Sequence, residues 1–231
     1  MGRPATIRGK RPEPHPHTRP DVRAAPIADL RFRRLLPAAD WAALPEAVRQ
    51  RFSHRLEGGA TIVYAGRVTA MRRNLAGTLL AHALRLLGAP LPLAMDVDVP
   101  SVISVTEDVA TGGQNWTRMY ANRTAFPQII HSAKRFEGPT GLEEYIGSGI
   151  AMSLRVGVES GALVFRDAGY HVTLFGHRVP VPRFLQPGRL EVRHEDRGGG
   201  RFRFALTVRH PWLGEVLHQA GEYRDFDEAA A

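Results

Sequence analysis

The chain has 231 residues, no cysteine and a formal net charge of +8. That length is enough to bury a full core, and the missing thiols exclude disulfides, thiolate metal sites and a cysteine nucleophile. Nine Arg or Lys face three acids in residues 1–34, so the other 197 residues carry an excess of only two positive charges. A polyanion-binding surface is therefore not expected of the folded part, and nucleic acid is not an expected partner.

Residues 1–28 are rich in Pro, Arg and His without periodicity, which reads as a disordered basic leader. Its His-Pro-His triplet at His15 to His17 is a weak metal candidate beside the plain reading of a solvated tail. No secretory pattern follows the arginines, and the best apolar run, 75–95, is interrupted by His82, Arg85, Gly88, Pro90 and Pro92. No membrane span is expected, and the cytoplasm is the expected compartment.

A single β-rich domain is expected over 29–226, with a short tail at 227–231. Trp41, Leu44, Val48 and Phe52 fall at spacings of three and four, which predicts a helix over 40–52 with Pro45 near its first turn. Residues 60–73 predict a strand, and Gly66 within it a bulge or a close approach. Residues 74–87 predict a second helix, capped by Asn74 and ended by Gly88. From there the chain becomes strands. Partial alternation over 93–106 breaks at Pro100. Two strands surround Trp116 and Ile129, and the even positions from Leu142 to Val158 predict one long strand with an apolar face. Short segments bounded by Gly, Pro or Asp follow at hairpin spacing to residue 226. The expected fold is α+β and mostly antiparallel: a curved sheet or partly open, calycin-like β-barrel of about nine to ten strands, with two helices near the N-terminus.

The chemistry concentrates on two of these strands. Glu144 lies on the apolar face of the long strand, where an unpaired carboxylate would be costly. Gln114, Trp116, Arg118 and Tyr120 share one face of an earlier strand by the period of two. Arg118 is thus the expected partner of Glu144, through a bidentate guanidinium. The candidate ligand-binding set is Trp116, Arg118, Tyr120 and Glu144, with Met152 and Phe204 as apolar wall; Glu144 and His131 are candidate acid/base groups. The structural alternative makes Arg118 and Glu144 an ion pair that fixes strand register. Lys10 and Lys134 are the only lysines among 31 basic residues, which leaves little room for Schiff-base chemistry. His171, His177 and His194 are a weaker metal candidate than three satisfied histidines. Ser148, between Gly147 and Gly149, lacks the strand-turn-helix setting of a nucleophile elbow. With no Rossmann or Walker pattern present, no cofactor is expected.

Across residues 40–225 the order of signals resembles a bacterial family of uncharacterised domains, found alone or fused behind saccharopine-dehydrogenase-like oxidoreductases. The resemblance rests on LPEAVRQRF (44–52), NWTRMY (115–120), LEEYIG (142–147), GALVFR (161–166), VPVPRFLQPG (179–188), RFRFALTV (201–208) and HPWLGEVLHQAGEY (210–223). Ala220 departs from it, standing where an aromatic is expected. The resemblance implies a domain without an assigned activity, and by association an oxidoreductase partner. The expected function is non-covalent binding of a hydrophobic or amphipathic small molecule. The alternatives are a cofactor-independent isomerase, cyclase or hydrolase using Glu144 or His131, and an interaction module accessory to an oxidoreductase.

Overall fold

A computed structural model describes residues 28–57, 59–86 and 91–225 of the chain. The leader expected at 1–28, with its His-Pro-His triplet, lies outside the described residues save for Ala28, as does the tail expected at 227–231.

Three short helices open the described chain: α1 (Arg31–Arg34), α2 (Ala38–Ala43) and α3 (Glu46–Arg51). The single helix expected over 40–52 is thus broken in two. Pro45 caps α3 at φ −53° and ψ 145°, and Leu44 before it is extended at φ −69° and ψ 144°. Proline has no N–H to donate and pushes its predecessor out of the helical region. The apolar stripe survives the break, because Trp41, Leu44, Val48 and Phe52 are all buried. Phe32 of α1 meets Phe52 edge-on at 5.1 Å and Phe165 at 6.3 Å.

Eleven strands, one further α-helix and a 3-10 turn at Arg183–Leu185 follow among the described residues: β1 (Thr61–Arg73), α4 (Leu75–Leu86), β2 (Pro100–Asp108), β3 (Gly113–Tyr120), β4 (Gln128–Arg135), β5 (Glu143–Gly147), β6 (Ile150–Glu159), β7 (Ala162–Leu174), β8 (His177–Pro180), β9 (Arg189–Gly198), β10 (Arg201–His210) and β11 (Gly214–Asp225). Pro100 opens β2 instead of breaking it. β1 pairs with both β2 and β11, and β6 pairs with β7, so ten strands run around a closed ring. The partly open barrel of the sequence reading is therefore closed, which leaves no open edge around that ring. β8 stands outside the ring, paired to the C-terminal half of β7, while β9 pairs with the N-terminal half through Leu163 to Arg166.

The long strand expected from Leu142 to Val158 is a hairpin, β5 and β6, turning at Ser148 and Gly149 with φ of +50° and +75°. Glu144 pairs with Met152 and Tyr145 with Ala151, with a register shift before Gly147 pairs with Ile150. Even positions therefore oppose even positions across the turn. The apolar alternation passes through the hairpin without a phase change, so the sequence reads as one strand.

Strand directions give the barrel two distinct ends. α1 to α3 plug one of them, in a core with Leu142, Leu154 and Phe165. The loops between β3 and β4, β7 and β8, and β10 and β11 open at the other end, together with α4. Asn74 Oδ1 accepts the Gly77 N–H at 2.9 Å and caps α4. A Cβ on Gly77 would lie 2.1 Å from the Val216 carbonyl oxygen, so glycine lets the helix close on β11. Gly66 makes the close approach its sequence context predicts, since a Cβ there would lie 2.1 Å from the Glu222 carbonyl oxygen. Outside the wall, Arg166 bridges Glu159 at 2.6 Å and Glu191 at 2.8 Å, and Arg193 meets Glu195 at 3.3 Å. Such a charged outer face favours water over hydrocarbon. No helix among the described residues is long and apolar enough to cross a membrane.

Candidate functional site

The even positions of β3, β4 and β5 point into the barrel and set charge within an apolar lumen. Lys134 and Glu144 are direct cross-strand partners, while Arg118 opposes Ile130 and Trp116 opposes Ser132. Lys134 Nζ donates to Glu144 Oε2 at 2.6 Å, and Ser132 Oγ donates to Glu144 Oε1 at 2.5 Å. Arg118 Nη1 donates to Ser132 Oγ at 3.0 Å, and its Nη2 lies 3.6 Å from Glu144 Oε1. Arg118 and Glu144 thus share a face, as expected, but the bidentate pair is replaced by a contact shared with a hydroxyl. Lys134 is the nearer cation.

Two cations to one carboxylate leave this cluster with an excess positive charge. Burial alone would raise the Glu144 pKa; the charges of Lys134 and Arg118 and the hydrogen bonds from Lys134 and Ser132 outweigh it and hold the carboxyl below its usual range. Burial is also the largest influence on Lys134 and lowers its pKa. Glu144 opposes that shift, and Arg118 adds to it. The Lys134 ammonium lies 4.8 Å from the centre of the Trp116 ring, and the Arg118 guanidinium 5.8 Å from the same ring. The Trp116 ring thus lies within cation–π reach of both cations.

Above this floor lies a cavity of about 320 Å³. Its wall is apolar, from Met152, Phe165, Val192 and Phe204 on the strands to Leu80 and Leu84 of α4. Leu185 and Pro187, in the chain between β8 and β9, complete its roof. The ring is thinnest there, because β9 leaves β7 after four paired residues.

Of the six expected ligand-binding residues, Arg118, Glu144, Met152 and Phe204 line this cavity. Trp116 lies beneath it, stacked on Phe204 at 6.2 Å, with its Nε1–H donated to Gln114 Oε1 at 3.2 Å. Tyr120 lines an adjoining space of about 50 Å³ that it shares with Arg118, Ile130 and Phe204. His131 borders the cavity through its place between Ile130 and Ser132, but its ring is exposed on the outer face, where Nδ1 meets Thr117 Oγ1 at 3.1 Å. An odd-numbered neighbour of Ser132 cannot share the inward face.

Nor are His171, His177 and His194 brought together. His194 is buried inside the barrel, stacked on Phe202 at 4.5 Å. His177 is exposed on β8, and His171 Nε2 accepts from Arg178 Nε at 3.1 Å. Ser148 sits in the hairpin turn.

The sequence reading passed over Lys134 and Ser132. Ile130, Ser132 and Lys134 share one face of QIIHSAKR by the same period of two that sets the inward faces of β3 and β5. A lysine in a chain that otherwise uses arginine was the available signal.

The class of protein is now defined: a closed ten-stranded antiparallel barrel, plugged at one end, with an apolar cavity set on an ionic floor. A family model described as "Domain of unknown function (DUF4166)" matches residues 44–223, and the chain belongs to that family. No curated protein and no solved structure matches the chain.

Proposed function

We propose that the barrel binds an amphipathic small molecule without covalent chemistry, its apolar body in the cavity and an anionic group against Arg118 and Lys134. The observation that carries this reading is the pairing of an apolar wall with a floor of two cations and one carboxylate. A cavity of about 320 Å³ falls within the ~300–1,000 Å³ of ordinary ligand sites. A module that only docks on an oxidoreductase would have no use for such a void. Acid catalysis by Glu144 is disfavoured because its surroundings keep it ionised. His131 is on the wrong face to assist it.

The test is titration with 1-anilinonaphthalene-8-sulfonate, an apolar ring system bearing one anion, together with native mass spectrometry of the protein from its own host. Saturable binding, weakened at least tenfold in Arg118→Met with the fold intact, is expected. Binding that Arg118→Met leaves unchanged would overturn the assignment of the anionic group to this floor.

A further inference from the structure

We infer that the open end of the barrel docks on the surface of an anionic phospholipid bilayer. The exposed large apolar side chains of this protein concentrate there: Leu75 and Leu79 on α4, Phe126 between β3 and β4, Phe175 between β7 and β8, Phe184 before β9, and Trp212 between β10 and β11. Strand direction alone brings these separate segments to one end. Patches of this kind on a protein surface mark an interaction site.

Phe175 shows that the exposure is not incidental. It and Gly176 form the two-residue turn of the β7–β8 hairpin, with φ of +49° and +79°. Such a turn calls for Asn or Gly at its first position, and a bulky residue in the left-handed region is strained. Phe175 is fully exposed, at 101% of its free surface, so its ring gains nothing inside the molecule in return.

Charge selects the partner. Residues 75–86, 121–129, 174–188 and 209–214 include Arg85, Arg123, Arg178, Arg183 and Arg209 and no Asp or Glu. The carboxylates nearby are paired, Asp96 with Arg123 at 3.9 Å, Asp98 with Arg67 at 2.8 Å, Glu215 with Arg72 at 3.0 Å and Arg209 at 3.6 Å, and Glu143 with Arg178, so the excess charge of this face rests on the exposed Arg85 and Arg183. Aromatic tips with interspersed arginine suit the headgroup layer, where rings lie at the interface and guanidinium groups meet lipid phosphates. The charged outer wall, with Arg166, Glu191 and Arg193, keeps the barrel from sinking further. Leu80 and Leu185, neighbours in sequence of Leu79 and Phe184, line the cavity. The docked face would therefore also be the roof of the cavity.

The inference goes beyond the ligand reading and is tested separately, because vesicle binding is read whatever the cavity holds. The full chain is sedimented with vesicles of phosphatidylcholine alone and of phosphatidylcholine with phosphatidylglycerol at about 7:3. Partition onto the mixed vesicles, reduced by added salt, is expected. Phe175→Asn should weaken it severalfold while raising the thermal midpoint, opposite signs that a structural role for the ring does not produce. Trp212→Ala with Phe184→Ala should weaken it at least tenfold, and Arg85→Gln with Arg183→Gln should abolish the preference for the anionic lipid. Failure to bind the mixed vesicles, or binding unaffected by these substitutions, overturns the inference. So does lipid-free self-association lost in the same variants, since the face would then fit a second copy of the chain.

Discussion

Lys134 and Glu144 depend on each other. Each is buried, and each is the other's nearest charge at 2.6 Å. Lys134→Met strips Glu144 of that partner, and Glu144→Gln leaves two cations facing one neutral amide. Each single change should cost about 3–5 kcal/mol in urea unfolding, whereas Lys134→Met with Glu144→Met should cost less than the two singles together. His194 gives a pH signature of its own. Burial first, and the Arg51 charge after it, lower its pKa to about 3, and neither ring nitrogen has a hydrogen-bond partner. The unfolded chain takes up this proton from about pH 6.5 downward and the folded chain does not, so stability falls as pH falls through that window. His194 should contribute a loss of about 2 kcal/mol between pH 7 and pH 5. Denaturation of His194→Phe at both pH values checks this, the difference shrinking by that amount. At this scale the sequence yielded Arg118 and Glu144, because an ionic group on an alternating apolar face is visible without a structure. Lys134 shares that face by the same period of two, but its pairing with Glu144 rests on the register of β4 against β5.

At the scale of the element, α4 and the β5–β6 hairpin each turn on a glycine. Intrinsic propensity says that alanine at position 77 should favour the helix by roughly 1 kcal/mol. The Val216 carbonyl, 2.1 Å from where its Cβ would sit, says otherwise. Gly77→Ala should therefore destabilise by about 1–3 kcal/mol and, by lifting α4, loosen ligand retention; a gain in melting temperature would contradict this packing. Gly149→Ala should also cost about 1–3 kcal/mol by urea unfolding, since the residue holds φ +75° and a Cβ would lie 2.9 Å from the Thr173 carbonyl oxygen. α4 itself was legible, N-cap included, because Asn74 and the leucine stripe are local signals; Gly88, its expected terminator, lies outside the described residues. The hairpin was not, since its bulge keeps the apolar positions in phase on both strands. The break between α2 and α3 at Pro45 is hidden by the apolar stripe, because Trp41, Leu44, Val48 and Phe52 keep helical spacing across it and are all buried. Closure of the ring was beyond reach, because it rests on the pairing of β1 with β11 and of β6 with β7, and only the second joins neighbours in the chain.

For the whole molecule, that first pairing sets the order of events. Gly66 meets Tyr223 across the β1–β11 seam, separated by most of the chain. Long-range antiparallel pairing is slow to form, and β10 and β1 both lack a neighbour until β11 arrives. A chain ended at residue 213 should therefore fail to fold cooperatively, as read by its near-ultraviolet circular dichroism. The seam also gives the barrel a polarity. Thr61 begins β1 and Asp225 ends β11 at the plugged end, where Tyr64 pairs with Asp225. Both passages of the chain into and out of the barrel thus lie on the side away from the cavity roof. Anything tethered there, on either flank, would hang behind the barrel like a handle and leave the roof clear to open.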